Sequence, residues 1–270
     1  MAVVTISRGS FTGGKTLAEC LAQKLSFRCV DRDVIVERAA ASGVAQEELL
    51  EALLKPPTFL ERFQHKRYIY LALIQSALAE EARTGKVVYH GNAGHLLLNG
   101  PGPILRVRII APLPFRMAMV RDRLKISEKE SLDYIQKVDQ DRKKWTQFLY
   151  GVDWADPNLY DMVLSLERMS ISEACDLLSA AIKQLKCFEF TEECQAAMDD
   201  LALASRVRAT LAIDSSTSHL EVETEAAKGV VRVKGKVPTP AELEDVLRVA
   251  KGVAGVTEVD IEGLIPATHV

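Results

Sequence analysis

The chain has 270 residues, enough for one sizeable core and a small second domain. Hydrophobic residues make up 48% and charged residues 26%, and the net charge is −3, so no global field draws the chain to nucleic acid and none is expected as a partner. The cysteines Cys20, Cys29, Cys175, Cys187 and Cys194 are odd in number and form no C-x-x-C pair, which argues against a disulfide framework or a zinc ribbon.

Residues 2–6 (AVVTI) form a short β-branched apolar run, the pattern of a buried parallel strand. Ser7-Arg8-Gly9 ends it and no basic segment precedes it, so a strand is expected there and not a signal peptide. With no stretch near the ~18 uncharged apolar residues of a membrane span, a cytoplasmic protein is expected. GSFTGGKT, residues 9–16, matches G-x-x-x-x-G-K-[ST] at every fixed position, and a helical pattern with Leu17, Cys20, Leu21 and Leu25 on one face follows. Strand, glycine loop and helix together form a phosphate site. Gly9, Gly13 and Gly14 are expected to allow unusual backbone angles, and Ser10 and Thr12 complete the loop. Lys15 is placed to neutralise the β- and γ-phosphates of ATP, and the Thr16 hydroxyl to ligate Mg²⁺.

Cys29-Val30-Asp31-Arg32-Asp33 follows at the tip of a second strand, where Asp31, Arg32 and Asp33 suit substrate recognition. Asp31 is equally suited to cap the helix that begins near Val34. After Pro56-Pro57, Thr58 and Glu61 read as a capping box opening a helix to about Arg83, with Leu60, Phe63, Leu71, Ile74 and Leu78 as its stripe. Arg67 lies within that stripe, either as a clamp for an acceptor phosphate or as a structural arginine.

The third strand, Val87-Val88-Tyr89, runs into His90-Gly91-Asn92, and a fourth, Ile104 to Ile110, into Ala111-Pro112. Neither ends in the Asp by which motor-type ATPases hold Mg²⁺, and no N-K-x-D segment is present to read guanine. Small phosphotransfer kinases remain. A helix over 113–124 is expected to bury Leu113, Met117, Val120 and Leu124, with Arg116 and Arg123 on one side of the stripe and Arg121 on the other. Ser127 and Glu130 open a long helix to about Leu149 with the stripe Leu132, Ile135, Val138, Trp145 and Leu149. Arg142 falls inside this stripe and needs an anionic partner, a ligand or a carboxylate such as Asp139.

SRGSFTGGKTLAECLAQKL, VDRDVI, VVYHGNAGHLLL, LRVRIIAPLPFRMAMVRDR and ISEKESLDYIQKVDQDRKKW resemble the cytidylate-kinase-like family in motif order, as does GVDWADPNLYDMVLSLERMSI, over roughly residues 1–187. The resemblance implies an α/β fold: a parallel five-stranded sheet wrapped by helices, with 125–149 as a lid. It makes Arg142 a lid arginine on the transferred group and puts Asp31 to Asp33 in the acceptor site; Arg121, from its place on the 113–124 helix, is counted with Arg142 as a catalytic candidate. Members often carry arginine where this chain has Asn92 and often lose the loop lysine that it keeps as Lys15.

The acidic stretch from Glu189 to Asp200 reads as a linker or short helix, with the division set at 188–197. Beyond it, a helix with Leu201, Val207 and Leu211 precedes strands around 220–222 and 231–233, a Thr239-Pro240-Ala241-Glu242 helix start, and a last strand with Val259 and Ile261. This αββαβ unit, taken as 198–270, resembles a BON domain, a type regarded as binding membranes or macromolecules. A protein partner is expected ahead of a lipid surface, and self-association is left open. The whole reads as an ATP- and Mg²⁺-dependent kinase of a nucleoside monophosphate such as CMP or dCMP. The alternative is a nucleotide-binding regulator whose second domain holds a partner.

Overall fold

A computed structural model describes residues 2–9, 12–56, 65–100, 102–189 and 191–266. Ser10 of the loop, and Thr58, Leu60, Glu61 and Phe63 of the expected helix start, lie outside the described residues.

The apolar N-terminal run becomes β1 (Val3–Arg8), the middle strand of a parallel sheet. Its partners are β2 (Arg28–Asp31), β3 (Val87–His90), β4 (Ile104–Ile110) and β5 (Met162–Ser165), in the order β2-β3-β1-β4-β5. Side chains alternate across β1, so Val3 enters one core layer and Val4 and Ile6 the other. One layer is covered by α1 (Gly14–Leu25) and α8 (Ile171–Gln184). The other is covered by α2 (Arg32–Ala40), α3 (Gln46–Leu54), α4 (Lys66–Arg83) and the short α5 (Gly94–Leu97). A sheet buried on both faces explains why the first strands read as continuous apolar runs. Strand β5 is an edge with only Leu164 buried, too weak a pattern to stand out in the sequence.

The expected helix over 113–124 is α6 (Leu113–Leu124), but only Val120 is buried, and Leu113 and Leu124 are exposed. It pairs with α7 (Glu128–Tyr150) as a hairpin beside the open end of the sheet, so its apolar stripe borders clefts and not core. The Ser127–Glu130 capping box forms as expected, and Ile135 and Trp145 are buried.

The stretch expected as a linker is different. From Glu192 it belongs to α9 (Glu192–Ile213), one continuous helix capped by Thr191. Met198, Ala202 and Ala209 of α9 join the core of the large sheet. Leu203, Val207 and Leu211 join a second core with β6 (Val222–Ala227), β7 (Val230–Val237), α10 (Pro240–Lys251) and β8 (Glu258–Pro266). A helix apolar on two faces is buried on two sides, and a charged N-terminal turn hid that pattern. The small sheet has the order β6-β7-β8, with β6 antiparallel and β8 parallel to β7. The Tyr68 hydroxyl, on α4, accepts from Val222 N–H at 2.9 Å and donates to its C=O at 2.6 Å, which fastens the small sheet to the large one.

Candidate active site

Gly13 has φ +81°, the left-handed turn that lets the loop pass from β1 into α1, and its carbonyl accepts the first helical bond from Leu17 at 3.1 Å. Gly9 and Gly14 have no such angle, contrary to expectation. They are glycines for space: a Cβ at Gly9 would lie 3.2 Å from Thr12 Cγ2, and one at Gly14 would collide with the Arg8 side chain. The Thr12 hydroxyl donates to the Gly9 carbonyl at 3.2 Å and holds the loop closed. Helix α1 has no side-chain cap and no acid in its first turn, so its N-terminal amides are left for an external anion. Lys15 and Thr16 are exposed beside them, and among the described residues Lys15 pairs only with Glu19, at 3.8 Å.

A cleft of ≈ 580 Å³ opens over this helix end, lined by Arg8, Lys15, Thr16, Arg32, Asn92, Arg123 and Arg142. A second space of ≈ 250 Å³ adjoins it toward β2 and β3, where Asp31, Asp33 and His90 meet the same cations. Arg142 reaches the cleft from α7 and donates to the Arg8 carbonyl at 2.6 Å. Burial, and the charges of Arg8, Arg116 and Arg32, bring its pKa down to about 10 against the pull of Asp139, so it stays cationic at neutral pH. Asp139 itself makes a bidentate pair with Arg116 at 2.8 and 2.9 Å, which ties α6 to α7.

Asp31 does cap α2, accepting from Asp33 and Val34 amides at 3.0 and 3.1 Å, while also lining the cleft. Arg32 pairs with Asp33 at 3.0 Å. Asn92 lines the cleft, but its amide donates to the Leu53 carbonyl at 3.3 Å.

Two expected residues are not brought to this cleft. Arg67 donates to the carbonyls of Ala52 and Lys55 at 2.9 and 2.7 Å, closing the end of α3. Arg121 is exposed and lines neither space; Arg123, two residues on and so ~200° around the helix, faces the cleft in its place. The pattern also missed Arg8, His90 and α3, which brings Leu54 to the wall. Arg8 was readable as the last residue before the loop. His90 is buried, its Nδ1 has no partner among the described residues, and burial, then Arg8, holds its pKa below the usual imidazole range despite Asp31. Among the described residues there is no cluster of three or more His, Cys, Asp or Glu that could hold a metal ion.

Fold and loop together define a P-loop α/β protein built to hold a phosphorylated ligand at the end of β1. The cytidylate kinase-like family model matches residues 3–168, more than half of the chain, and the chain belongs to that family. The BON domain model matches residues 199–263. The cytidylate kinase of Ignicoccus hospitalis is 31% identical over 172 residues, covering 63% of this chain and 92% of that protein. That of Methanopyrus kandleri is 31% identical over 186 residues, covering 68% and 94%. An uncharacterized protein from Eubacterium ventriosum shares the fold, with a TM-score of 0.54 at 17% identity over 68% of this chain and 99% of that one. No helix among the described residues is long and apolar enough to cross a membrane.

Proposed function

We propose that the chain transfers the γ-phosphoryl group of ATP to a pyrimidine nucleoside monophosphate, CMP or dCMP. The observation that carries this reading is the uncapped α1 terminus with Lys15, opening on a cleft to which Arg8, Arg32, Arg123 and Arg142 also contribute. Five cations around one opening fit two phosphate-bearing ligands. The family membership and the naming of its relatives as cytidylate kinases support the acceptor class.

In this reading the amides at the start of α1 hold the donor phosphates and Lys15 neutralises their outer oxygens. The Thr16 hydroxyl, exposed in the same turn, is the side-chain oxygen that fits Mg²⁺. When bound, the cation neutralises charge across the β- and γ-phosphates. An oxygen of the acceptor phosphate attacks the γ-phosphorus as its bond to the β–γ bridging oxygen breaks. Arg142, fixed by the Arg8 carbonyl, is placed for the charge on the transferring group, and Trp154, with its ring centroid 5.8 Å from that guanidinium, excludes water from its far side. Asp31 and Arg32 face the acceptor from β2 and α2.

A second reading, a nucleotide-governed binding protein, is favoured by α9, whose two faces belong to two cores. The proposed division at 188–197 then overlaps the start of α9, which runs on into the second unit. On the small sheet Arg232 pairs with Asp260 and Lys234 with Glu225, which lowers its attraction for anionic lipid and favours a protein partner. Turnover of Mg-ATP with CMP, dCMP, UMP, AMP and GMP, beside Lys15→Ala, separates the readings. Pyrimidine turnover that the substitution lowers by at least ~100-fold supports the kinase. ATP binding with no turnover on any acceptor refutes it.

A further inference from the structure

The cleft holds a cation that neither the loop motif nor the lid explains. Arg8 is the last residue of β1, and its stem lies across Gly14, where a Cβ would displace it. Its guanidinium makes no hydrogen bond or ion pair among the described residues, although Arg32 and Arg123 are near enough to oppose its charge. Such a cation is stabilised chiefly by an anion that is still to arrive. The side from which that anion comes follows from the sheet. Strands β1 and β3 run parallel with Ile6 opposite His90 as the last pair, so the end of β1 with Arg8 and the segment after β3 with Asn92 leave the sheet at the same edge of the cleft. Asn92 has given its amide to the Leu53 carbonyl and carries no charge. Arg8 and Asn92 both line the space toward β2, with Asp31, Asp33 and His90.

We propose that Arg8 binds the phosphate of the acceptor, a monoester dianion, in the space that it lines together with Asn92. The assignment rests on the kinase reading for the acceptor's identity, but not for its charge. Arg8 supplies two parallel N–H donors from the P-loop side of the acceptor, while the amides of α1 keep the donor nucleotide. Gly14 is then a glycine for the sake of Arg8 as much as for the donor phosphates.

The test is a calorimetric titration of wild type, Arg8→Met and the double variant Arg8→Met with Asn92→Arg. Each is titrated with Mg-AMP-PNP, and then with CMP on the AMP-PNP-loaded protein. Met keeps the stem over Gly14, and AMP-PNP binding reports that the loop is intact. Arg8→Met is expected to weaken CMP on the order of 30-fold while AMP-PNP stays within about 3-fold, and Asn92→Arg to recover much of the loss. CMP affinity that is unchanged, an equal loss for AMP-PNP, or no recovery in the double variant overturns the assignment. Wild-type protein that binds AMP-PNP but none of the five monophosphates refutes the kinase reading alone. Arg8 is then judged with inorganic phosphate, followed by amide chemical shifts on the loaded protein. Loss of the phosphate response in Arg8→Met supports the assignment, and an unaltered response overturns it.

Discussion

Acid should destabilise this protein through one buried imidazole, His95 on α5. It is 4% exposed, its ring lies 4.6 Å from the Tyr160 ring and tilted by 39°, and among the described residues neither ring nitrogen has a hydrogen-bond partner. Burial, then Arg106 and Arg108, pushes its pKa down from 6.5 to about 4. The unfolded chain takes up a proton below 6.5 that the folded one refuses, so stability is full above 6.5 and is lost as pH falls toward 4. At ~1.4 kcal/mol per unit the difference is worth about 3 kcal/mol, a sizeable share of an ordinary domain's stability. His95→Phe keeps a ring against Tyr160 and cannot charge. Urea unfolding of both proteins at about pH 7 and about pH 4.5 should show wild type losing about 2–3 kcal/mol more than the variant. Carboxylates such as Glu130 and Glu173, whose capping bonds lower their pKa, lose their share in both proteins and cancel in the comparison. A parallel loss in the two proteins would show that His95 is not held neutral, and would refute the reasoning.

Other positions give sharper local readouts. Tyr68→Phe removes both bonds to Val222 and should cost about 1–2 kcal/mol, with faster amide exchange at the start of β6; unchanged exchange there would remove Tyr68 as the fastener between the sheets. Gly13→Ala forces a side chain into φ +81°, with Leu166 Cδ1 at 3.3 Å, and should cost about 1–2 kcal/mol and weaken nucleotide binding; a variant with wild-type stability and affinity would show that the turn is not needed.

The N-terminal half of the site was legible in the residues because it is local. Strand, loop and helix lie within 25 residues, so Lys15, Thr16 and the left-handed Gly13 could be placed from spacing alone. The capping boxes at Ser127 and Thr239 are equally local, three residues from end to end, and both form. Arg142 was placed by helical period, since the stripe around it had to face inward.

What the sequence by itself determined, then, is the strand–loop–helix unit at the N-terminus and the helices whose starts are capped locally. Only the tertiary structure decided which cations line the cleft. Arg67 and Arg142 look alike on paper, each within an apolar stripe. Arg67 is consumed by the carbonyls ending α3, whereas Arg142 crosses to the β1 tip. Arg121 and Arg123 flank the same helix, and the packing of α6 on α7 alone selects Arg123. Arg8 and Asn92 come to line one cleft only through the pairing of strands that are far apart in the chain. Helix α9 shows the same limit: its polar first turns read as a linker until two cores close on its opposite faces. A periodic pattern records that a face is buried, but not what covers it, because the covering residues come from elsewhere in the chain.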